Sequence, residues 1–279
     1  MRRFSVRLIQ MAVAPSKDDN LAAAEAAIRD AASAGVELAV LPEMFSCPYE
    51  TARFGKLAEP VPDGRTSRLL SDLARELGLH LVGGSIPERD AEGRLYNTAT
   101  LWGPDGTLLL RHRKVHLFDV DIPGGIRFTE SSVLAPGDTI ATARTELATI
   151  GLAVCYDLRF PELFRSLTLQ GAELIVVPGA FNTTTGPAHW ELLVRTRAVE
   201  NTVYVAACSP APHPEGRYPA WGHSMIVDPW GDVIAAAGRS PATLTATLEP
   251  ERLETVRRSL PVLEQRRPDL YGDPRPDGR

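Results

Sequence analysis

Three reactive side chains, Glu43, Lys114 and Cys155, each stand where a predicted strand gives way to a loop or a helix. In open α/β sheets, ligands bind outside the carboxyl ends of the strands. Side chains from three distant parts of the chain could therefore meet at one edge of a sheet. A thiol, a carboxylate and an ammonium group that meet there could perform nucleophilic catalysis on a carbonyl compound.

Cys155 ends the apolar run that begins at Ile150, and a helix is predicted a few residues later. A cysteine on such a turn is expected to be exposed at the sheet edge, near backbone N–H groups that can stabilise an oxyanion. Cysteine is also among the most buried residue types, so simple packing is the alternative. We assign simple packing to Cys47 and Cys208.

Lys114 shares one face of a predicted strand with His112 and His116, because side chains alternate across a strand. The segment could be a solvated basic edge strand, or it could present a buried ammonium group that stabilises a tetrahedral intermediate. A zinc site built from the two histidines lacks an evident third ligand nearby. We therefore predict no metal.

Glu43 follows Leu41 and Pro42 at the end of an apolar strand, where a carboxylate costs free energy unless it is paired. A structural ion pair is one interpretation. The other is a general base for Cys155, since a thiol with a pKa of about 8.5 is largely protonated at neutral pH.

The elements that must position these residues alternate between strand and helix patterns. Strands are predicted at 5–13, 37–44, 80–87, 94–102, 107–117, 148–157, 173–181 and 204–211 and in a hairpin at 223–238, and helices at 18–34, 66–77, 161–170, 187–201 and about 250–266. Residues 118–139 show no regular pattern. The result is one α/β domain over residues 1–279, with a Pro-, Gly- and Asp-rich tail from about residue 268 that is expected to be poorly ordered.

Composition narrows the class of protein and its partners. The chain has 279 residues, of which 44% are hydrophobic, and a formal net charge of −5, so neither nucleic acid nor a membrane is a predicted partner. Its three scattered cysteines form no disulfide framework, which predicts a cytoplasmic protein. The N-terminus superficially suggests a signal peptide, but Arg7 and Gln10 interrupt its apolar run and favour a strand.

The segments around the three reactive residues, LPEMF, RHRKVHL and GLAVCYDLRFPEL, resemble the three catalytic motifs of the nitrilase superfamily of carbon–nitrogen hydrolases. The resemblance covers essentially the whole chain in unbroken order. It implies a four-layer αββα sandwich with two mixed sheets and a catalytic set of Glu43, Lys114 and Cys155. It also implies no metal or organic cofactor, and a homodimer or a higher homo-oligomer.

Further segments narrow the resemblance. HLFDVDIPGGIRFTES, PGAFNTTTGPAHWELL, AWGHSMIVDPWG and LPVLEQRRPDLY resemble the omega-amidase branch, whose members hydrolyse the terminal amide of α-ketoglutaramate and α-ketosuccinamate. The C-terminal segment and YDLRFPEL also resemble the sister branch that acts on deaminated glutathione, although the region around Phe118 and Asp121 favours omega-amidase. We expect a cysteine-dependent amidase that hydrolyses the terminal amide of small α-keto acid amides to the dicarboxylate and ammonia. The alternatives are a deaminated-glutathione amidase, an N-carbamoyl amidohydrolase or a nitrilase.

The resemblance implies a role for each matching residue. Glu43 would deprotonate Cys155, whose sulfur attacks the amide carbonyl, while Lys114 and the backbone N–H of Tyr156 hold the oxyanion. Glu43 would then protonate the departing ammonia and activate the water that hydrolyses the thioester. Glu130 matches a second glutamate of the family and is expected to orient Lys114 or the substrate nitrogen.

Recognition of a keto-acid amide also requires a partner for the substrate carboxylate. Arg159 is the candidate because a guanidinium group matches a carboxylate bidentately, and a salt bridge at a dimer interface or helix start is the alternative. Phe181 and Thr185 match positions that line the pocket in relatives, and Tyr49 could close that pocket from the loop of Glu43.

Several other features are assigned no catalytic role. His189 and Trp190 follow a predicted helix start at Pro187 and are interpreted as structural. A serine hydrolase is disfavoured because the chain has no GxSxG motif, and Ser224 lacks the second glycine. A non-catalytic binding protein on the same fold is the alternative of a different class, although all three reactive residues are intact.

Overall fold

A computed structural model describes residues 1–216 and 218–271 of the chain. These residues form an α/β structure with two large mixed sheets, which confirms the predicted fold class. Residues 268–270 form a turn, and the rest of the predicted tail, residues 272–279, lies outside the described residues. One domain over residues 1–279 stays a prediction. Within the described ranges, no helix is long and apolar enough to cross a membrane.

The strands follow the predicted order along the chain. They are β1 (Phe4–Gln10), β2 (Leu38–Val40), β3 (His80–Arg89), β4 (Leu95–Trp102), β5 (Leu108–Arg113), β6 (Asp119–Asp121), β7 (Arg127–Thr129), β8 (Thr142–Arg144), β9 (Thr149–Leu152), β10 (Leu174–Pro178), β11 (Tyr204–Cys208), β12 (Met225–Val227), β13 (Val233–Ala236) and β14 (Ala242–Leu248). The first sheet has the order β14-β1-β2-β3-β4-β5 and the second has the order β13-β12-β11-β10-β9-β8. β6 and β7 pair as a separate two-stranded ribbon.

The helices begin and end at recognisable signals. They are α1 (Lys17–Ser33), α2 (Thr51–Leu57), α3 (Arg65–Leu77), α4 (Pro161–Leu169), α5 (Gly186–Asn201) and α6 (Pro250–Ser259). Ser16 caps α1 by accepting a hydrogen bond from the N–H of Asp19, and Gly78 ends α3 at a φ of +64°. α4, α5 and α6 each have a proline in their first turn, where a missing N–H costs nothing.

The two sheets pack against each other between two helix layers. In the first sheet, β1, β2 and β3 are parallel, and one face packs against α1 and α3 through Ile9, Ala39, Leu81, Ile28 and Leu73. The opposite face packs onto the second sheet through Leu8, Val40, Val82, Leu152 and Val176. α4 and α5 cover the far side of the second sheet. The layers are therefore αββα, and the parallel strands β2 and β9 lead directly to Glu43 and Cys155.

The structure differs from the predictions where the elements are short. The segment 118–139, predicted to be irregular, contains the ribbon of β6 and β7, and the sequence patterns did not predict α2, β8 or β14. β9 ends at Leu152 rather than at Asp157, because Cys155 has a φ of +48°, which no strand accommodates. α6 ends at Ser259 rather than near residue 266, since Pro261 cannot continue a helix.

Candidate active site

Cys155 begins a tight 3-10 turn (Cys155–Arg159) between β9 and α4, in the left-handed conformation. The expectation that it would be exposed is wrong, because only 4% of the residue is accessible to solvent. Burial and the charge of Glu43 raise the pKa of the thiol well above its usual value, and Lys114 only partly opposes them. The resting side chain is therefore a neutral thiol that needs a base to become a nucleophile.

Glu43 lies just beyond β2, and its carboxylate is completely enclosed. Its Oε2 accepts a hydrogen bond from the N–H of Ala180 at 2.7 Å, and its Oε1 accepts one from Nδ2 of Asn97 at 2.8 Å. Burial raises its pKa, Lys114 opposes that shift, and the charge of Glu130 adds to it. The nearby thiol of Cys155 acts in the opposite direction and lowers the pKa of this carboxyl group. A raised pKa suits a carboxyl group that exchanges a proton near neutral pH.

Lys114 follows β5 and has no solvent exposure at all, so the alternative of a solvated basic edge strand is wrong. Its Nζ lies 3.3 Å from Oε1 of Glu43 and 2.8 Å from Oε2 of Glu130, and it donates to the hydroxyl of Tyr49 at 3.3 Å. Burial opposes its charge, but Glu130 and Glu43 prevail and raise the pKa of Lys114 well above its usual value. The ammonium group therefore stays charged inside the protein.

Glu130 begins the short turn after β7 and is also fully buried. Its Oε2 accepts a hydrogen bond from the N–H of Phe118 at 2.7 Å, and its Oε1 accepts one from the hydroxyl of Tyr49 at 2.9 Å. The structure thus brings together the four residues predicted to be catalytic, which we call the buried cluster: Glu43, Lys114, Glu130 and Cys155. With the thiol of Cys155 neutral, two ionised carboxylates and one ammonium group give this cluster one excess negative charge.

Asn97, on β4, is a member of the site that the sequence patterns did not indicate. Its Nδ2 donates to Oε1 of Glu43 at 2.8 Å and to Oε1 of Glu130 at 3.4 Å. Its backbone carbonyl accepts a hydrogen bond from the backbone N–H of Lys114 at 2.8 Å. The side chain is completely buried. Asn97 therefore bridges the two carboxylates by donating to both. An asparagine inside a predicted strand is the signal that could have identified it, because a buried amide needs hydrogen-bond partners.

Asp157 connects the two segments that carry Cys155 and Lys114. Its buried carboxylate lies 3.0 Å from Nε2 of His112 and 2.8 Å from Nδ1 of His116, and it accepts the N–H groups of His116 and Val154 at 2.9 Å. Although burial opposes ionisation, these hydrogen bonds and His112 lower the pKa of Asp157 far below its usual value. The alternation of side chains along the predicted strand placed both histidines on the face of Lys114. In the structure, both of them bind the carboxylate of Asp157. No group of three potential metal ligands occurs within residues 1–216 and 218–271.

Arg159 and its neighbours lie on the other side of the Cys155 turn. Its guanidinium group lies 5.0 Å from the ring centre of Phe181 and 5.6 Å from that of Tyr156, and its Nη1 lies 3.2 Å from Nδ1 of His189. In the described part of the chain, no carboxylate forms a salt bridge with it. The alternative of a salt bridge at the helix start is therefore not observed among residues 1–216 and 218–271.

Thr185 and Tyr49 occupy different positions relative to the buried cluster. Thr185 is buried just before α5, where its N–H donates to Oδ1 of Asn182 at 3.0 Å. The hydroxyl of Tyr49 touches the cluster, whereas its ring packs 4.7 Å from that of Tyr218. Tyr218, which the sequence patterns did not indicate, donates to the carbonyl of Ala180 at 2.6 Å.

A cleft of about 620 Å³ lies outside the two tyrosines. Its lining includes Phe128 on the ribbon and Asn182 and Thr184 before α5. Tyr49 and Tyr218 line both this cleft and a smaller cavity of about 40 Å³ that reaches Glu43. A small molecule entering the cleft would therefore meet the two tyrosine rings before it meets the buried carboxylate.

Comparison with known proteins identifies the family of the chain. A family model described as carbon-nitrogen hydrolase matches residues 5–258. The chain is 50% identical over 271 residues to the omega-amidase NIT2-A of Xenopus laevis, covering 97% of this chain and 98% of that protein.

Two solved structures extend the comparison to the fold. Nit3 of Saccharomyces cerevisiae, a member of branch 10 of the nitrilase superfamily, is 41% identical with a TM-score of 0.88, covering 95% of this chain and 97% of that chain. An amidase from Nesterenkonia, 27% identical with a TM-score of 0.77, carries the acetamide moiety of fluoroacetamide covalently added at its active-site cysteine. That match covers 96% of this chain and 95% of the amidase. The chain belongs to the carbon–nitrogen hydrolase family.

Proposed function

We propose that the protein is a cysteine-dependent omega-amidase that hydrolyses the terminal amide of α-ketoglutaramate and α-ketosuccinamate to the dicarboxylate and ammonia. The observation that carries this proposal is the proximity of two features around one turn. The thiol of Cys155 belongs to the buried cluster, and four residues later Arg159 presents a guanidinium group without a carboxylate partner among the described residues. The full-length similarity to an omega-amidase supports the same substrate class.

Acylation begins with proton transfer from Cys155 to Glu43. Both groups have pKa values raised by burial, so the proton remains within the pair when it leaves the sulfur. Sγ attacks the amide carbonyl, and the ammonium group of Lys114 stabilises the oxyanion together with the N–H of Tyr156. Glu43 then gives its proton to the amide nitrogen, the C–N bond breaks, and ammonia leaves behind a thioester.

Deacylation uses the same groups in the reverse order. A water molecule attacks the thioester carbonyl while Glu43 takes its proton, and Lys114 again stabilises the oxyanion. The C–S bond breaks, the carboxylic acid is released, and Glu43 returns the proton to Cys155. Glu130 and Asn97 keep their places throughout, because their hydrogen bonds hold Lys114 and Glu43 in position.

Arg159 binds the carboxylate at the far end of the substrate. A guanidinium group offers five N–H donors, of which the contact with His189 uses one. Stacking on Phe181 and Tyr156 holds the planar group in place while the remaining donors stay available. Thr185 and Tyr49 contribute to the walls of the same pocket in this proposal.

We also propose that the protein is a cytoplasmic homodimer. The helix α5 exposes Leu192 and Val199, and Trp230 on the turn after β12 is 51% exposed beside them. An apolar face of this kind is typical of an interface between subunits. The free thiols of Cys47, Cys155 and Cys208 agree with a reducing compartment. Light scattering should give the mass of two chains, and Leu192→Glu should give the mass of one.

The test of the activity is ammonia release from α-ketoglutaramate, measured in parallel with deaminated glutathione, an N-carbamoyl amino acid and a simple nitrile. Cys155→Ala serves as the blank. A clear preference for the keto-acid amide and a silent variant are expected. Preference for another member of the panel would replace the proposed substrate, and activity in Cys155→Ala would contradict the mechanism.

A further inference from the structure

His189 stands in the first turn of α5 and is half-buried. Its Nδ1 lies 3.2 Å from Nη1 of Arg159, and its backbone N–H donates to the carbonyl of Thr185 at 2.9 Å. Its neighbour Trp190 has a purely structural environment, since it is buried and its Nε1 donates to the carbonyl of His223 at 2.6 Å. Both residues were interpreted as structural from their position at the start of a predicted helix, but only His189 reaches the guanidinium group.

The side-chain partner of Arg159 is an imidazole rather than a carboxylate. Because a guanidinium group can only donate, Nδ1 of His189 is the acceptor in this contact, and an imidazole acceptor carries no negative charge. Arg113, another partly buried arginine, binds the carboxylate of Glu88 at 2.6 Å, whereas Arg257 binds only backbone carbonyls. A carboxylate beside Arg159 would neutralise its charge, whereas a neutral imidazole fixes its position and leaves the charge intact.

We propose that His189 is a specificity-determining positioning residue that holds Arg159 without neutralising it. The guanidinium charge then remains free for an anionic substrate. This inference rests on the proposed omega-amidase function and refines it: the preferred substrates are linear amides that carry a carboxylate at the end opposite the amide. The role of His189 is therefore electrostatic as well as geometric, because the position requires an acceptor that has no negative charge.

Three substitutions separate the two requirements at this position, which are a hydrogen-bond acceptor and the absence of a negative charge. His189→Asn keeps a neutral acceptor close to the position of Nδ1, His189→Leu removes the acceptor, and His189→Asp keeps an acceptor but adds a negative charge. Each variant is assayed for ammonia release from α-ketoglutaramate and from its uncharged methyl ester. The ester has the same reacting amide, so its turnover reports whether the variant is folded and chemically competent.

The expected order follows from the charge at the position. For α-ketoglutaramate, KM should stay within about twofold for His189→Asn, rise about fivefold for His189→Leu, and rise about thirtyfold or more for His189→Asp, since charge-assisted hydrogen bonds exceed neutral ones in strength. For all three variants, kcat on both substrates and KM for the ester should stay near their original values.

The outcomes distinguish the inference from the function on which it rests. If the unchanged protein does not prefer α-ketoglutaramate over its ester, the proposed function itself fails. If it does, but His189→Asp and His189→Asn have the same KM for α-ketoglutaramate, the inference is overturned. A KM for the ester that rises in parallel would equally overturn it, because His189 would then act only through the shape of the pocket.

Discussion

The two sides of the Cys155 turn are built on opposite principles. On one side, the buried cluster pairs its charges: Lys114 contacts both Glu43 and Glu130, and Asn97 bonds to both carboxylates. On the other side, Arg159 is only partly buried and contacts the imidazole of His189 rather than a carboxylate. Groups that perform chemistry need a fixed geometry, whereas a group that binds a substrate needs an unused charge. The same turn therefore serves both needs with different local electrostatics.

The largest expected effect comes from exchanging the sulfur of the nucleophile. Cys155→Ser should lower kcat by about a thousandfold or more, because a hydroxyl group is far harder for Glu43 to deprotonate than a thiol. The matched control is Cys208→Ser, since Cys208 is also a fully buried free cysteine. Steady-state ammonia release measures both. Equal losses in the two variants would mean that the effect is one of packing.

Glu43→Gln tests whether the buried cluster sacrifices stability for chemistry. Burial raises the pKa of Glu43, so its ionised form costs stability at any pH above its unfolded value. The variant should lose about a hundredfold or more in kcat and yet have a higher free energy of unfolding at pH 7. The gain should vanish as the pH falls towards about 4, where the carboxyl group is protonated in both states.

Denaturant unfolding at several pH values measures the stability of Glu43→Gln, and Lys114 retains Glu130 as a partner in this variant. A variant that is inactive and also less stable at pH 7 would contradict the prediction. It would show that the carboxylate contributes more to the fold through Lys114 than it costs through burial.

Arg159→Met should affect binding alone and so sharpen the contrast between the two sides. The substitution keeps much of the side-chain volume but removes the charge, and we expect KM for α-ketoglutaramate to rise about tenfold to a hundredfold with little change in kcat. Arg195→Met is the matched control, because Arg195 is a half-exposed arginine of α5 that binds Glu191. A loss of kcat in Arg159→Met without a change in KM would assign Arg159 to the chemical step.

Asp157→Asn should have the smallest effect on activity, a few-fold loss in kcat, because Asp157 acts on the site only by joining two segments. The lowered pKa of Asp157 means that it stabilises the fold above its unfolded pKa of about 4, and that this contribution is lost as the pH falls further. The variant should be less stable by about 1–3 kcal/mol at pH 7, and its stability should depend less on pH below 4. Thermal unfolding between pH 3 and pH 7 measures this difference in stability. Equal acid sensitivity of Asp157→Asn and the unchanged protein would contradict the prediction.

Much of the fold could be predicted because the long elements carry strong local signals. α3 begins within one residue of its predicted start and ends as predicted, where Gly78 stops it, and α5 begins beside Pro187. The ribbon and β8 have strands of three residues, which are too short for a periodic pattern. β14 pairs with β1 across more than two hundred residues, and such a contact leaves no local trace.

The candidate site also contains residues that could be predicted from the sequence and residues that could not. The four members of the buried cluster could be named from motifs, but their mutual geometry depends on the packing of two sheets. Asn97 was missed because its function arises from contacts with Glu43 and Glu130, far away in the sequence. His189 was interpreted as structural because the first turn of α5 meets Arg159 only in the folded chain. Residue types predict chemistry, whereas partners that tune that chemistry appear only in three dimensions.

The backbone at the nucleophile limits the routes by which evolution could change it. Cys155 has a φ of +48°, and a Cβ added to Gly179 would lie 3.3 Å from its Cα and 3.1 Å from the ring of Trp190. A β-branched side chain is strained at such a φ, and threonine would carry that cost here as it does at Thr202, whose φ is +50°. Serine and cysteine avoid this cost, although a threonine hydroxyl serves as a nucleophile elsewhere. A lineage that replaced the thiol by a branched nucleophile would therefore have to offset this backbone strain or rebuild the turn.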